Sequence, residues 1–130
     1  MARKMWVHPN AITITKSSSE DMSAAAGEVA KQDAGGTVSI SDAATDAIIG
    51  IVIDGGNASG DPVTICIAGL CQAKAGADLN ENEVLTSESG GAVIDTTTLG
   101  NNTIGYAIDN AADGDYFKMN VVRSKYGTYA

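Results

Sequence analysis

Gly36-Thr-Val-Ser-Ile40, Ile49-Gly-Ile-Val-Ile-Asp54 and Gly60-Asp-Pro-Val-Thr-Ile-Cys-Ile67 are echoed later by Gly91-Ala-Val-Ile-Asp95, Ile104-Gly-Tyr-Ala-Ile-Asp109 and Gly114-Asp-Tyr-Phe-Lys-Met-Asn-Val121. Gly36 and Gly91, Gly50 and Gly105, and Asp54 and Asp109 are each 55 positions apart, while Gly60 and Gly114 are 54 apart. Glu28-Val29 falls on Glu83-Val84 in the same register. Recurrence at a fixed period predicts two equivalent units, here copies at about residues 24–67 and 79–121. It also says that a residue present in both copies serves the fold before it serves a unique active site.

Working outward, each unit reads as short strands between turns. The predicted strands are 28–31, 37–41, 48–53 and 63–67, then 83–86, 92–95, 104–108 and 116–122, with 71–77 as the link between copies. Ile48 to Ile53 is almost unbroken apolar sequence, which predicts a strand covered on both faces. Gly50 and Gly105 sit inside apolar strands, where glycine costs stability. Their recurrence predicts a bulge, a bend or a close approach of backbone. Fifteen Gly against two Pro, with a hydrophobic fraction built from Ala, Val and Ile, fit a turn-rich all-β chain. At 130 residues the chain is sized for one domain that buries roughly two-thirds of its unfolded surface. The expected organisation is an N-terminal arm at 1–22, a small β-barrel domain at 23–122 made of two tandem repeats, and a tail at 123–130. Within the arm, Ala11-Ile12-Thr13-Ile14-Thr15 alternates as a strand does.

Charge is distributed unevenly. All sixteen acids lie between Glu20 and Asp115, in a stretch whose only bases are Lys31 and Lys74. Arg3, Lys4 and Lys16 precede it, and Lys118, Arg123 and Lys125 lie at its far end. An acidic body argues against nucleic-acid binding, since phosphate contacts need a basic face. The basic ends are suited to an acidic partner or a neighbouring copy. No apolar run approaches the ~20 residues of a membrane span, and residues 1–7 are too short for a signal peptide, so a soluble, cytoplasmically made protein is expected.

The residues offer little chemistry. His8 is the only histidine, and no nucleophile–base pair or CxxC motif accompanies it. Asp54/Asp109 and Asp61/Asp115 stand in Gly- and Asn-rich turns, where Asp bonds nearby backbone N–H groups; a calcium loop at Asp54-Gly-Gly-Asn57 would lack EF-hand ligand order. Lys118 lies within a strand and not at the hairpin tip where a biotin or lipoate carrier presents its lysine. Cys66 and Cys71 would be too far apart on a straight strand to bridge, the limit being about 7 Å between α-carbons, although a bend at Gly69 would bring them together. Two buried free thiols are expected. No catalytic residue, cofactor, metal or small-molecule substrate is expected.

Val63-Thr-Ile-Cys-Ile-Ala-Gly-Leu-Cys-Gln-Ala-Lys-Ala-Gly-Ala-Asp-Leu-Asn-Glu-Asn-Glu-Val-Leu85, a Gly-Gly turn, and Ile104-Gly-Tyr-Ala-Ile-Asp-Asn-Ala-Ala-Asp-Gly-Asp115 together resemble the capsid decoration (cement) proteins of tailed bacteriophages. The similarity covers about residues 60–122, and Asn82 stands where that family often has Gly. The resemblance implies a β-barrel or β-tulip fold and a homotrimer on the outer surface of the virion head. It also implies the major capsid protein as partner and reinforcement of contacts between shell subunits as function. Candidate partner contacts are Arg3, Lys4, Met5, Trp6, Val7, Ile12 and Ile14 in the arm, and Tyr126 and Tyr129 in the tail. Trp beside basic residues is a common interface anchor, although Trp6 could instead cover one end of its own barrel. A secreted or surface β-sandwich that binds carbohydrate or protein is the alternative class.

Overall fold

The structure, a computed structural model, describes residues 4–125. It is all-β. Nine strands run in the order β1 (Ile12–Ser17), β2 (Val29–Gln32), β3 (Val38–Ile40), β4 (Ile48–Asp54), β5 (Pro62–Lys74), β6 (Val84–Ser87), β7 (Val93–Asp95), β8 (Asn102–Ala107) and β9 (Tyr116–Lys125). A single 3-10 turn, Ser89–Gly91, precedes β7. Among the described residues no helix is long and apolar enough to cross a membrane.

Eight strands form one antiparallel path, β3-β2-β4-β5-β9-β8-β6-β7, with β1 added against β5, and the sheet curls into a half-barrel. The pairings recur at the spacing read from the sequence. Ala30 faces Gly50 and Ile40; 55 residues on, Leu85 faces Gly105 and Asp95. Ile51 faces Cys66, and Tyr106 faces Asn120. Each half is fastened by a parallel bridge at its end, Ser18 to Val38 in one and Ala75 to Val93 in the other.

β5 is the strand that both halves use. The segment 71–77, expected as a link, is strand as far as Lys74, because pairing with β9 continues from Gly69 to Lys74. Residues 62–68 of β5 pair with β1, and residues 69–74 pair with β9. Gly69 marks the crossing, with φ at +103°, and a Cβ there would lie 2.9 Å from the Ala11 Cα. The chain must therefore be glycine where the two halves join.

Gly50 and Gly105 have the close approach expected of them. A Cβ on Gly50 would lie 2.1 Å from the Cys66 carbonyl oxygen, and one on Gly105 would lie 1.9 Å from that of Asn120. Both neighbouring carbonyls occupy corresponding places in their halves.

β4 is covered on both faces, as its apolar run predicts. Ile49 and Val52 join Met22, Ala25, Ala30, Val38, Val63 and Ile65 in one cluster. Ile48, Ile51 and Ile53 join a larger cluster with Cys66, Leu85, Ile104, Phe117, Met119 and Val121. The first cluster fills the first half. The second fills the other half and the contact between the two, where β4 meets β8 and β9.

Candidate functional site

The first candidate is the N-terminal segment. It is extended, and from Lys4 onward it is hydrogen-bonded to the chain's own body. Met5 N donates to Ile53 O at 2.8 Å, Gln72 N to Trp6 O at 2.8 Å, and His8 N to Leu70 O at 2.9 Å. Lys4 bridges to Asp54 and Val7 to Cys71. Residues 4–8 thus lie in the seam between the end of β4 and the second half of β5. Met5 is buried in the core, Val7 packs on that core, and Ile14 packs on the other cluster. Ile12 is exposed. Arg3, Tyr126 and Tyr129 lie outside the described residues.

Trp6 alternates outward from Met5 and Val7 and remains 41% exposed. Its neighbours are ordered. The Lys118 ammonium sits 5.0 Å from the ring centroid, and His8 meets the indole edge-on at 6.1 Å. A lysine over the indole face is a cation–π contact. Trp6 closes the seam through its backbone and presents its ring at the surface.

Trp6 and Lys118 belong to a wider exposed face that sequence reasoning missed. β9 alternates from Tyr116 to Val122. Phe117, Met119 and Val121 point into the core, and Tyr116, Lys118 and Val122 are exposed. Across the sheet, Asn120 Nδ2 donates to the Tyr106 hydroxyl at 2.9 Å, and Ile108 adds a further exposed apolar side chain. Tyr106 and Ile108 were visible as apolar strand residues. Only the pairing shows that the strand in question turns this side to solvent.

The carboxylates are used locally. Asp61 Oδ2 accepts from Asn57 N and Ala58 N at 3.0 Å each, and Asp115 Oδ2 accepts from Ala112 N at 3.2 Å. Asp54 Oδ1 accepts from Gly56 N at 3.1 Å, so this loop closes on its own backbone. Asp46 receives hydrogen bonds from Asp42 N and Ala43 N, with Lys31 beside it, and these hold its carboxyl below the usual carboxylate range. His8 Nδ1 accepts from Asn10 N. Burial pushes the Glu28 carboxyl upward against the opposing pull of Lys74, and both line a depression of about 430 Å³ with Ser89, Asp113 and five glycine and alanine residues. Among the described residues no group of three His, Cys, Asp or Glu side chains converges as a metal site would require.

Cys66 and Cys71 are free and buried. The bend at Gly69 brings the thiols into contact. Their hydrogen bond, together with burial, raises the Cys71 thiol, and the same bond lowers that of Cys66. The Cys66 thiol donates to Ala68 O at 3.6 Å.

No family model matches this chain, and no curated protein matches it. Among solved structures, it is similar to the crystal structure of the head fiber gp8.5 N base of bacteriophage phi29. The TM-score is 0.62 at 19% identity, covering 90% of this chain and 98% of that one. Coverage that complete on both sides means that the whole described body, and not one β-meander within it, has the fold of that phage head-fiber base.

Proposed function

We propose that this chain is a structural virion protein, a capsid decoration protein that attaches to the outer surface of a phage head as a homotrimer and stabilises contacts between major capsid subunits. The observation that carries the reading is the shared fold with a phage head-fiber base over nearly the full length of both chains. The resemblance of residues 60–122 to capsid cement proteins, reached from the residues alone, points the same way. The reading includes no catalytic activity. The carboxylates cap turns and the only histidine accepts from a neighbouring backbone N–H, so these groups act as scaffold.

The experiment is to mix the purified protein with heads that lack it and to image them by electron microscopy. Added density at three-fold and quasi-three-fold positions, with heads that withstand higher temperature, is the expected result. Heads that remain bare at saturating protein would overturn the proposal.

A further inference from the structure

β5 changes phase at Gly69. On a straight strand, residues an odd number of positions apart point to opposite faces. In the first arm of β5, Val63 and Ile65 enter the cluster of the first half, and Cys66 points the other way, into the larger cluster. In the second arm Cys71 and Ala73 enter that larger cluster. Cys66 and Cys71 are five positions apart yet share one face, because the left-handed backbone of Gly69, at φ +103°, reverses the alternation between them. Both are buried. The Cys66 thiol points back into the bend, 3.6 Å from Ala68 O and 4.0 Å from Gly69 O, and is hydrogen-bonded to the Cys71 thiol. Their strand partners belong to different parts of the molecule. Cys66 faces Ile51 and Thr13, whereas Cys71 faces Met119 and bridges to Val7.

We propose that Cys66 and Cys71 are a disulfide-forming pair, oxidised by a low-molecular-weight disulfide, whose bond ties the two arms of β5 together across the Gly69 bend. The contact between the thiols lowers Cys66 and, with burial, raises Cys71, so Cys66 ionises first and is the attacking sulfur. Its thiolate, having given its proton to solvent, attacks one sulfur of the small disulfide. That S–S bond breaks, one small thiol leaves, and Cys66 is held in a mixed disulfide. Cys71 then loses its proton and attacks the Cys66 Sγ, expelling the second small thiol. The two protein thiols give up two electrons, and the small disulfide takes them as it becomes two thiols. Access needs only a local opening, because Ala68, Gly69 and Leu70 above the pair are half-buried and not part of either core. In a reducing cytoplasm the pair stays as thiols, and in an oxidising medium it closes. The closed bond joins the strand that carries β1 and β4 to the strand that carries β9 and the N-terminal seam.

Equilibration of the full chain in graded mixtures of reduced and oxidised glutathione tests it, once in buffer and once in concentrated guanidinium chloride. Free thiols are trapped with a maleimide and the products are identified by peptide mass mapping. The folded chain is expected to lose both thiols to a single bond between Cys66 and Cys71. Its equilibrium constant for closure should exceed that of the denatured chain by about tenfold or more, because a fold that holds the sulfurs together favours the bond. Cys71→Ser, folded by its melting curve, should stop at a glutathione adduct on Cys66, and Cys66→Ser should leave Cys71 unmodified in the fold. A native chain that keeps its thiols under mixtures that oxidise the denatured one overturns the proposal, and so do equal constants for the two. A glutathione adduct on Cys71 with none on Cys66 overturns the order of attack.

Discussion

Glycine and asparagine positions show how tightly single residues are constrained. At Gly105 the backbone has φ +146°, and the Asn120 carbonyl occupies the space a side chain would need. Gly105→Ala is expected to destabilise by at least about 3 kcal/mol, since both the conformation and the contact must give. Gly50→Ala should cost a similar amount. Gly100→Ala, with φ +89° but open space around it, should cost only about 1 kcal/mol. Chemical denaturation of the three variants checks the ranking. Asn82 is the only described non-glycine residue with positive φ, at +70°, and it occupies the place that Gly27 holds in the first half at +90°. Gly27 N and Asn82 N donate to Val52 O and Ala107 O, which also correspond. Asn82→Gly should therefore be neutral or stabilising by up to about 1 kcal/mol, and Asn82→Ala destabilising by about 1 kcal/mol. The departure at Asn82 was legible in the sequence. Its cause, a left-handed backbone at the entry to β6, was not.

Acid sensitivity belongs to the same scale. Asp46 is held below its ordinary range by the N–H groups of Asp42 and Ala43, so its contribution is present above the unfolded carboxylate value, about pH 4, and is lost as pH falls through the folded one. Glu28 runs the other way. Burial raises it, so its contribution is present at low pH and lost as pH rises through the folded value. Asp46→Asn should lower stability at neutral pH and flatten the acid limb of a stability-versus-pH curve. Glu28→Gln should flatten the limb just above pH 4 and leave the acid limb in place. A curve for Asp46→Asn with the wild-type acid slope would show that its hydrogen bonds carry no such linkage.

At the scale of elements, the N-terminal segment is held by the chain's own body from Lys4 onward. Its alternation predicts strand, and β1 is one. Its mixture of basic and apolar residues suggests an arm reaching for a partner, and the structure threads residues 4–8 into the seam beside β5. Met5 is the decisive side chain, at 2% exposure. Met5→Ala should cost about 2–4 kcal/mol, as truncation of a buried methionine does, and deletion of residues 2–8 should lower the melting temperature of the isolated protein. Trp6→Ala should leave stability closer to the wild type, because its indole lies outside the core. Thermal melts of the three separate a seam from a free arm: equal melting temperatures would restore the free arm. The hidden element was β5 beyond Gly69. Leu70-Cys-Gln-Ala-Lys74 has weak alternation and small side chains, and nothing local marks it as strand. Its pairing with β9 is a tertiary fact.

For the whole molecule, strand pairings match between the halves beyond the residues that recur in the sequence. Residues 12–19 lay outside the matched copies because they share no residue pattern with 69–76. Structurally they correspond: Ile14 faces Ile65 as Cys71 faces Met119, and Lys16 faces Val63 as Ala73 faces Phe117. Ser18 and Ala75 donate to Asp61 O and Asp115 O and accept from Gly60 N and Gly114 N. The offset is 57 at this strand, 55 in the middle strands and 54 at the last, and this drift conceals the relation from any fixed-period reading. An experimental structure should superpose residues 12–67 on 69–121 strand for strand once those offsets are applied. Gly50 and Gly105 falling at unrelated places would refute the correspondence. The candidate face was illegible for a related reason. Exposure of Tyr106 and Ile108 depends on which half is stacked upon, and two similar halves do not state their order of stacking in their residues.

The double use of β5 also bears on synthesis. Once residue 74 has left the ribosome, every strand of the first half and its N-terminal seam is present, because β1, β4 and residues 6–8 all pair with β5. The second half has only its first strand at that moment and cannot close until β9, the last strand, arrives. During that interval Ile51, Ile53 and Cys66 have no second half to cover them. The nascent chain thus passes through a half-built stage in which an apolar surface of the first half waits for the strands that will bury it.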